Sequence, residues 1–145
     1  MTTHQWSDEE ILQQVRGNAN ALSAAIVLYA RDNGRSAEHF ATFLAATFAP
    51  DWAGMTAAGA LDIARAAAFN PVSLGATLLS LDGDADHASA VLDASALEDD
   101  AAAFGVPAED VVTMWRVFME RIADGLGVGF AFVRDGSRWT FELTR

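Results

Sequence analysis

Apolar side chains recur at helical spacing through the first fifty residues of the chain. Ser7 and Glu10 have the spacing of a capping box, which predicts the start of a long helix. The DNG sequence at 32–34 ends this helix, and a second helix is expected between Ser36 and Pro50. The apolar positions that follow the helical period in the first helix are Leu12, Val15, Ala19, Leu22, Ile26 and Tyr29.

The pattern changes after an alanine-rich third helix at 55–69. We expect the Asn-Pro pair at 70–71 to break that helix, because the residue before a proline disfavours helical geometry. In VSLGATLLSL and HASAVLDAS, apolar and polar residues alternate instead, which predicts two antiparallel strands. Residues 96–106 are acidic and are predicted to be irregular. Pro107 then begins a fourth helix, which ends in GLG at 125–127.

The C-terminal residues predict a β-hairpin with one apolar face. Asp135-Gly136 is a strong two-residue turn signal, and placing it at the centre of the turn sets the cross-strand pairs. These pairs are Phe132 with Trp139, Phe130 with Phe141, and Val128 with Leu143. An apolar strand face needs a cover, and the helices supply it. The predicted fold is therefore α+β, with N-terminal helices, a strand pair, a fourth helix and a C-terminal hairpin. The strands form a helix-covered antiparallel sheet in a single domain over residues 1–145.

The chain is acidic, and its charge is unevenly distributed. The formal net charge is −11, and residues 66–115 hold nine acidic side chains and no lysine or arginine. Such a surface repels phosphate groups, so we expect binding to neither nucleic acid nor anionic membranes. We expect a cytoplasmic location, because the sequence shows no secretory signal and no apolar run that spans a bilayer. With no cysteine, thiolate chemistry and cysteine-based metal sites are excluded, and we predict no metal and no cofactor.

One acidic stretch has the spacing of a calcium loop without its other features. Asp82, Asp84, Asp86 and Asp93 occupy positions 1, 3, 5 and 12 of an EF-hand frame. Position 6, where a sharp turn needs glycine, is His87, and no helix is predicted on either side. The stretch is therefore predicted to be the solvated tip of the first hairpin. Whether the first three aspartates bind a cation under some conditions stays open.

Two side chains are candidates for acid–base chemistry. His39 borders the aromatic stripe of the second helix, and Glu142 would stand opposite Gly129, which leaves its carboxylate accessible. Neither has an identifiable partner in a catalytic triad or in a metal-binding motif. The competing interpretations are a half-exposed helix histidine and a solvated glutamate, since a lone titratable side chain seldom makes a site.

Large side chains on the fourth helix and the C-terminal hairpin are the most informative functional signal. If that helix folds back on the hairpin, these side chains face alanine-rich helices across the interior. Small residues opposite large ones either interlock or enclose a cavity, and a mostly apolar cavity is the usual character of a small-molecule site. We predict a cavity closed to bulk water. Its candidate ligand-binding residues are Tyr29, Phe43, Trp52, Trp115, Phe118, Met119, Phe130, Phe132 and Trp139.

The second half of the chain, roughly residues 72–143, resembles a known type of ligand-binding domain. The resemblance is carried by MWRVFMERIADGLGVGFAF and RWTFEL. With the order of elements, these segments are similar to the small domains of the 4-vinyl-reductase type. They are also similar to the related family named for 2-amino-thiazoline-4-carboxylate hydrolase. The resemblance implies a fold that encloses small, largely apolar ligands, often as a dimer. Members of those families often carry cysteines that this chain lacks, so cysteine-dependent chemistry is not carried over.

Three functions are consistent with these features. The leading one is a domain that binds a small apolar or aromatic molecule in an aromatic-lined pocket, with a homodimer among the partners considered. The second is a hydrolase- or isomerase-type enzyme that uses His39 or Glu142 as its acid–base group. The third is a structural or dimerisation module. The sequence names neither the ligand nor a reaction.

Overall fold

The computed structural model describes residues 6–145, which form helices on one face of a four-stranded antiparallel sheet. The elements, in chain order, are α1 (Asp8–Asp32), α2 (Ala37–Trp52), a 3-10 helix (Ala53–Met55), α3 (Ala60–Ser73), β1 (Thr77–Gly83), β2 (His87–Asp93), α4 (Ser95–Ala103), α5 (Ala108–Leu126), β3 (Gly129–Asp135) and β4 (Arg138–Thr144). The strand order β1-β2-β4-β3 joins two hairpins through β2 and β4. The predicted α+β fold with a helix-covered antiparallel sheet is confirmed.

The start of α1 follows the predicted local signal. The prolines in α2 and α3, by contrast, do not end those helices. Ser7 Oγ accepts from the Glu10 N–H, and the Glu10 carboxylate accepts from the Ser7 N–H, so the predicted capping box is confirmed. The predicted breaks at Pro50 and Pro71 are wrong, because α2 runs to Trp52 and α3 runs past Asn70-Pro71. Each proline lies in the last turn of its helix. Its missing N–H and its ring therefore disturb only the end of the helix.

Helix α4 forms where irregular structure was predicted. The Ser95 N–H donates to Asp93 Oδ1 at 2.9 Å just before the first turn, and this bond holds the pKa of Asp93 below its usual value. Leu97 is buried, and the Glu98 side chain is only 11% exposed. Tertiary contacts of these two side chains stabilise the helix. The segment is acidic and has no apolar stripe, so its sequence did not predict a helix.

One face of the sheet carries most of the core. Trp139, Phe141 and Leu143 alternate along β4 and are fully buried. Two of their three neighbours on β2 are small, since Ala90 stands opposite Phe141 and Ala88 stands opposite Leu143. The small side chains leave room for α3, which packs across β1, β2 and β4, while α5 packs on β3. The buried face of α3 consists of alanines, one isoleucine and one proline: Ala60, Ile63, Ala64, Ala67, Ala68 and Pro71.

The C-terminal hairpin has the predicted apolar face but a different register. Asp135 pairs with Arg138, so Gly136 and Ser137 are the central turn residues. Gly136 has a φ of 58° and no non-glycine residue described here has a positive φ, which is typical of a type II′ turn. The predicted turn centred on Asp135-Gly136 is therefore wrong. The facing pairs are Phe132 with Phe141 and Phe130 with Leu143, in place of the three predicted pairs. The shift is by two residues, so the same side chains stay on the apolar face.

The long helix α1 turns its larger apolar side chains away from the core. The residues it buries are Asn20, Ala24 and Val27. By contrast, Leu22 is 64% exposed and Tyr29 is 71% exposed, although both belong to the apolar stripe seen in the sequence. The stripe is real, but nothing in residues 6–145 covers it. No helix in that part of the chain combines the length and the apolar composition that crossing a bilayer requires.

The acidic tip of the first hairpin also serves as the cap of α3. Asp84 Oδ1 accepts from the N–H groups of His87 and Asp86, which lowers the pKa of Asp84 and closes a tight turn. The carbonyl of Asp84 accepts from Leu61 N at 2.9 Å. The carbonyl of the next residue, Ala85, likewise accepts from the first turn of α3. Within the described residues, no group of three or more His, Asp or Glu side chains could hold a metal ion.

The contact between this tip and α3 leaves no room for a side chain at Gly59. A Cβ built there would lie 2.8 Å from the Ala85 Cα, and backbone atoms cannot move aside cheaply. We expect Gly59→Ala to reduce the free energy of unfolding by about 1–3 kcal/mol, as overpacking does. Gly125→Ala is the matched control, because a Cβ there meets nothing within 4 Å and alanine favours the helix. Urea denaturation of both variants tests this, and equal stability would contradict the close approach.

Candidate functional site

A cavity of about 770 Å³ lies between the helices and the inner face of the sheet. Phe48 and Phe69 border it and are 44% and 69% exposed, so the cavity opens to the surface there. The prediction of a cavity closed to bulk water is therefore wrong. Most of the lining is carbon, and the residues that form it are Asn20, Ser23, Ala24, Val27, Leu44, Phe48, Asp51, Trp52, Met55, Ala66, Phe69, Asn70, Pro71, Ser73, Leu74, Leu97, Ala101, Val106, Val111, Met114, Trp115, Phe118 and Trp139.

Trp115 is the centre of the aromatic cluster between α5 and the sheet. Its ring centroid lies 5.1 Å from that of Phe141 and 5.5 Å from those of Trp139 and Phe132. The rings are tilted by 39–52°, and pairs at these distances attract beyond the area they bury. Trp115 also lines the cavity, so one wall of the cavity is held by a rigid aromatic stack.

The nine residues predicted to bind a ligand fall into three groups. Four of them line the cavity: Trp52, Trp115, Phe118 and Trp139. Three others belong to the core or pack against it without lining the cavity: Met119, Phe130 and Phe132. Tyr29 and Phe43 are 71% and 63% exposed, and neither lines the cavity. The structure thus brings the first group together and leaves the last two residues on the outside.

The indole N–H of Trp139 is already bonded and cannot orient a ligand. It donates to Glu98 Oε1 at 2.9 Å, and Trp139 itself is fully buried. Glu98 also accepts two hydrogen bonds from Arg134, and this pairing raises the pKa of the guanidinium. Arg134 reaches the exposed Glu109 as well. The network ties α4 and α5 to the C-terminal hairpin.

Two buried polar atoms of residues that line the cavity have no hydrogen-bond partner among the described residues. They are Asn20 Oδ1 and Trp115 Nε1, and both atoms are buried. The Asn20 Nδ2 donates to the Leu74 carbonyl at 3.0 Å and to Asp100 Oδ2 at 2.9 Å, which leaves its oxygen free as an acceptor. Buried polar groups are nearly always paired, so these two atoms are exceptions. Sequence reasoning missed Asn20, because it lies off the apolar stripe of α1.

The acid–base candidates are apart from the cavity and from each other. His39 is exposed in the first turn of α2, where its backbone N–H donates to the N-cap Ser36. Glu142 lies on the outer face of β4 opposite Ala131, not opposite Gly129 as predicted, and its Oε2 is 3.8 Å from His87 Nε2. Both members of that pair have half-exposed side chains, at 55% each. Neither His39 nor Glu142 lines the cavity.

The hydrogen bonds of Glu98 should contribute to the stability of the fold. In Glu98→Ala, the buried Trp139 N–H loses its acceptor and Arg134 loses its less exposed partner. We expect the free energy of unfolding to fall by about 2–4 kcal/mol, the usual range for breaking a largely buried pair. Glu109→Ala removes the other partner of Arg134, whose side chain is 79% exposed, and should cost about 1 kcal/mol or less. Urea unfolding followed by tryptophan fluorescence measures both. Similar small losses would show that Glu98 is not part of the core.

No protein-family model and no curated protein matches this chain.

Proposed function

We propose that this protein binds a small, largely apolar molecule in the cavity between its helices and its sheet. The observation that carries the proposal is the cavity itself. Its volume of about 770 Å³ lies within the range of small-molecule sites, and its lining combines many carbon atoms with few polar ones. The resemblance of the second half of the chain to ligand-enclosing domains points to the same function, but the proposal rests on the cavity.

The cavity is formed by many elements of the fold. Here the residues lining the space come from all five helices and from β4, so no single side chain is missing. Apolar surface that stays open to water is unfavourable unless something covers it. A bound molecule would cover it.

The opening of the cavity is suited to the entry of an apolar ligand. Phe48 and Phe69 stand at this edge, and Phe48 packs edge-on against Phe118 at 6.3 Å between ring centroids. Two aromatic rings at an opening offer flat, carbon-rich surface to an entering ring or chain. The acid–base alternative has no comparable support, because His39 and Glu142 lie outside the cavity.

The direct test is the uptake of a neutral apolar dye. We expect N-phenyl-1-naphthylamine to gain fluorescence in the presence of the folded protein with one saturable site per chain. Native mass spectrometry of the purified protein should show any molecule that copurifies. A protein that leaves the dye fluorescence unchanged at tens of micromolar would end the proposal.

Substitutions at two neighbouring alanines of α3 can distinguish the cavity from the solid core. Ala66 lines the cavity, whereas Ala67 is fully buried in the core and does not line it. Ala66→Leu should fill part of the space, weaken dye binding by about tenfold and change stability little. Ala67→Leu should overpack the core, reduce the free energy of unfolding by about 1–3 kcal/mol and spare dye binding by the folded fraction. Dye titration and urea denaturation separate the two outcomes. Equal destabilisation without loss of dye binding at Ala66 would place the site elsewhere.

A further inference from the structure

An apolar stripe on α1 stays uncovered by any of residues 6–145. Its side chains follow intervals of three, four, three, four and three residues, which is the a/d pattern of a coiled coil. We call them the α1 seam: Leu12, Val15, Ala19, Leu22, Ile26 and Tyr29. Four of the six are more than half exposed: Leu12, Val15, Leu22 and Tyr29. At a rise of about 1.5 Å per residue, the seam is about 26 Å long, so it is a continuous surface and not a scatter of single apolar residues.

The body of the domain holds α1 by a different face. Asn20 Nδ2 donates to the Leu74 carbonyl at 3.0 Å, and Ala24 and Val27 form a buried cluster with Val106. These contacts fix the helix within its own chain, so a partner that binds the seam does not have to order it. Binding to a preformed surface avoids the entropy cost of folding a segment on contact. The α1 seam is therefore a ready docking surface.

We propose that the α1 seam packs against the α1 seam of a second copy, with the two helices antiparallel. A twofold axis then relates the copies, which is the commonest symmetry of protein dimers. The contact has three kinds of layer: Leu12 with the partner's Tyr29, Val15 with the partner's Ile26, and Ala19 with the partner's Leu22. This proposal is independent of the cavity and of what the cavity binds.

Side-chain size favours the antiparallel layers over the parallel ones. Each antiparallel layer sets a smaller side chain against a larger one, and the smallest member of the seam, Ala19, faces a leucine. In a parallel pair, every seam residue would face its own copy. Two Ala19 side chains would then leave a gap between the helices, whereas two Tyr29 side chains would push them apart. Antiparallel packing keeps the spacing between the helices even, as close packing requires.

Charge favours the same orientation. The first turn of α1 contains Asp8, Glu9 and Glu10, and Asp8 continues the heptad spacing of the seam. In a parallel pair, Asp8 would face its own copy and the two acidic turns would repel each other. In the antiparallel pair, Asp8 faces the neutral Asn33 of the partner subunit. The two acidic turns are then separated by the length of the 25-residue helix, about 37 Å, which is several Debye lengths at physiological salt.

The far end of α1 offers a cation to the acidic turn of a second copy. Arg35 follows the end of the helix, is exposed and makes no ion pair within residues 6–145. It lies two residues beyond Asn33, the position that faces the partner's Asp8 in the antiparallel pair. Helix dipoles that run in opposite directions add to this attraction. The surface is thus complementary to its own copy in charge as well as in shape.

The charge of α1 argues against a lipid surface as the occupant. Between Asp8 and Asp32 the helix has four acidic and two basic residues, so its net charge is −2. Both basic residues are engaged inside the domain, since Arg16 donates to the Ser73 carbonyl and Arg31 pairs with Asp110. Amphipathic helices that lie on membranes instead carry lysine and arginine on their polar face. A second copy therefore fits the seam better than a membrane does.

The oligomeric state in solution tests the proposal. Because the seam covers fewer than three heptads, we expect a dissociation constant in the micromolar range. Sedimentation equilibrium at tens of micromolar should then give a mass that approaches twice that of the chain. A natural chain that stays a monomer at this concentration would refute the proposal. A monomer that floats with phosphatidylcholine vesicles would assign the seam to a membrane instead.

A substitution in the seam should break the dimer and spare the fold. Burial of one leucine is worth roughly tenfold in affinity, and the twofold axis doubles the change. We therefore expect Leu22→Glu to raise the dissociation constant by at least about a hundredfold. Leu22 is 64% exposed in the single chain, so the urea midpoint of the monomer should stay close to that of the natural chain.

Two controls separate the seam from other causes of dissociation. Gln13→Glu adds the same charge to an exposed position of α1 off the seam, and Leu79→Glu makes the same change at a 48% exposed leucine of β1. Both variants should remain dimers. Equal dissociation in Gln13→Glu would show that added charge alone disrupts the contact. A dimer that Leu79→Glu breaks and Leu22→Glu does not would place the interface on the sheet.

Orientation can be read from disulfide formation, because the natural chain has no cysteine. A mixture of Val15→Cys and Ile26→Cys chains should oxidise to the mixed disulfide, which intact mass identifies, since these positions face each other in the antiparallel pair. Either chain alone should crosslink slowly, because its two cysteines would lie about 16 Å apart along the helices and a disulfide spans about 7 Å at most. Faster crosslinking of Val15→Cys with itself than with Ile26→Cys would overturn the antiparallel orientation.

Discussion

The rest of the structure depends on covering the apolar face of the sheet. Trp139, Phe141 and Leu143 alternate along β4, which is a central strand, so their side chains project to one side and must be buried together. Trp115 of α5 supplies the centre of that cover, with four aromatic rings of the hairpin within 6 Å of its own. Once α5 is placed over the hairpin, α2 packs against it and α3 covers the remaining strands.

The cavity follows from how the helices pack on this layer. Helices α2 and α3 approach their neighbours through alanines, such as Ala41 and Ala64, and small side chains allow close contact. Helix α1 faces the interior with the small Ala24 and the polar Asn20, which do not fill the space beside Trp115. The larger apolar side chains of α1 are left on the outside. The same packing therefore creates both an inner space and an exposed apolar stripe on α1.

Part of the candidate site could be predicted from the residues alone. Trp52, Trp115, Phe118 and Trp139 line the cavity, and large aromatic side chains at helical or strand spacing pointed to them. The polar part could not be predicted. The sequence does not distinguish the indole N–H groups of Trp139 and Trp115. In the structure, that of Trp139 donates to Glu98, whereas that of Trp115 is unpaired. Only the position of α4, which had no sequence signal, makes that difference. Asn20 likewise becomes part of the site only because α1 turns that face inwards.

The sequence by itself determined the elements that local chemistry controls: the capping box of α1, the strand pair, the helix that ends at Gly127 and the two-faced terminal hairpin. The tertiary structure decided what depends on distant partners. It carried α3 through Pro71 and folded residues 95–103 into a helix. It also decided which face of α1 is buried. Periodicity shows that a helix has an apolar face, but the face that packs is the one whose shape fits its neighbours. In α1 that is the face of Asn20, Ala24 and Val27, because Asn20 bonds there to Leu74 and Asp100, and Ala24 and Val27 form a buried cluster with Val106.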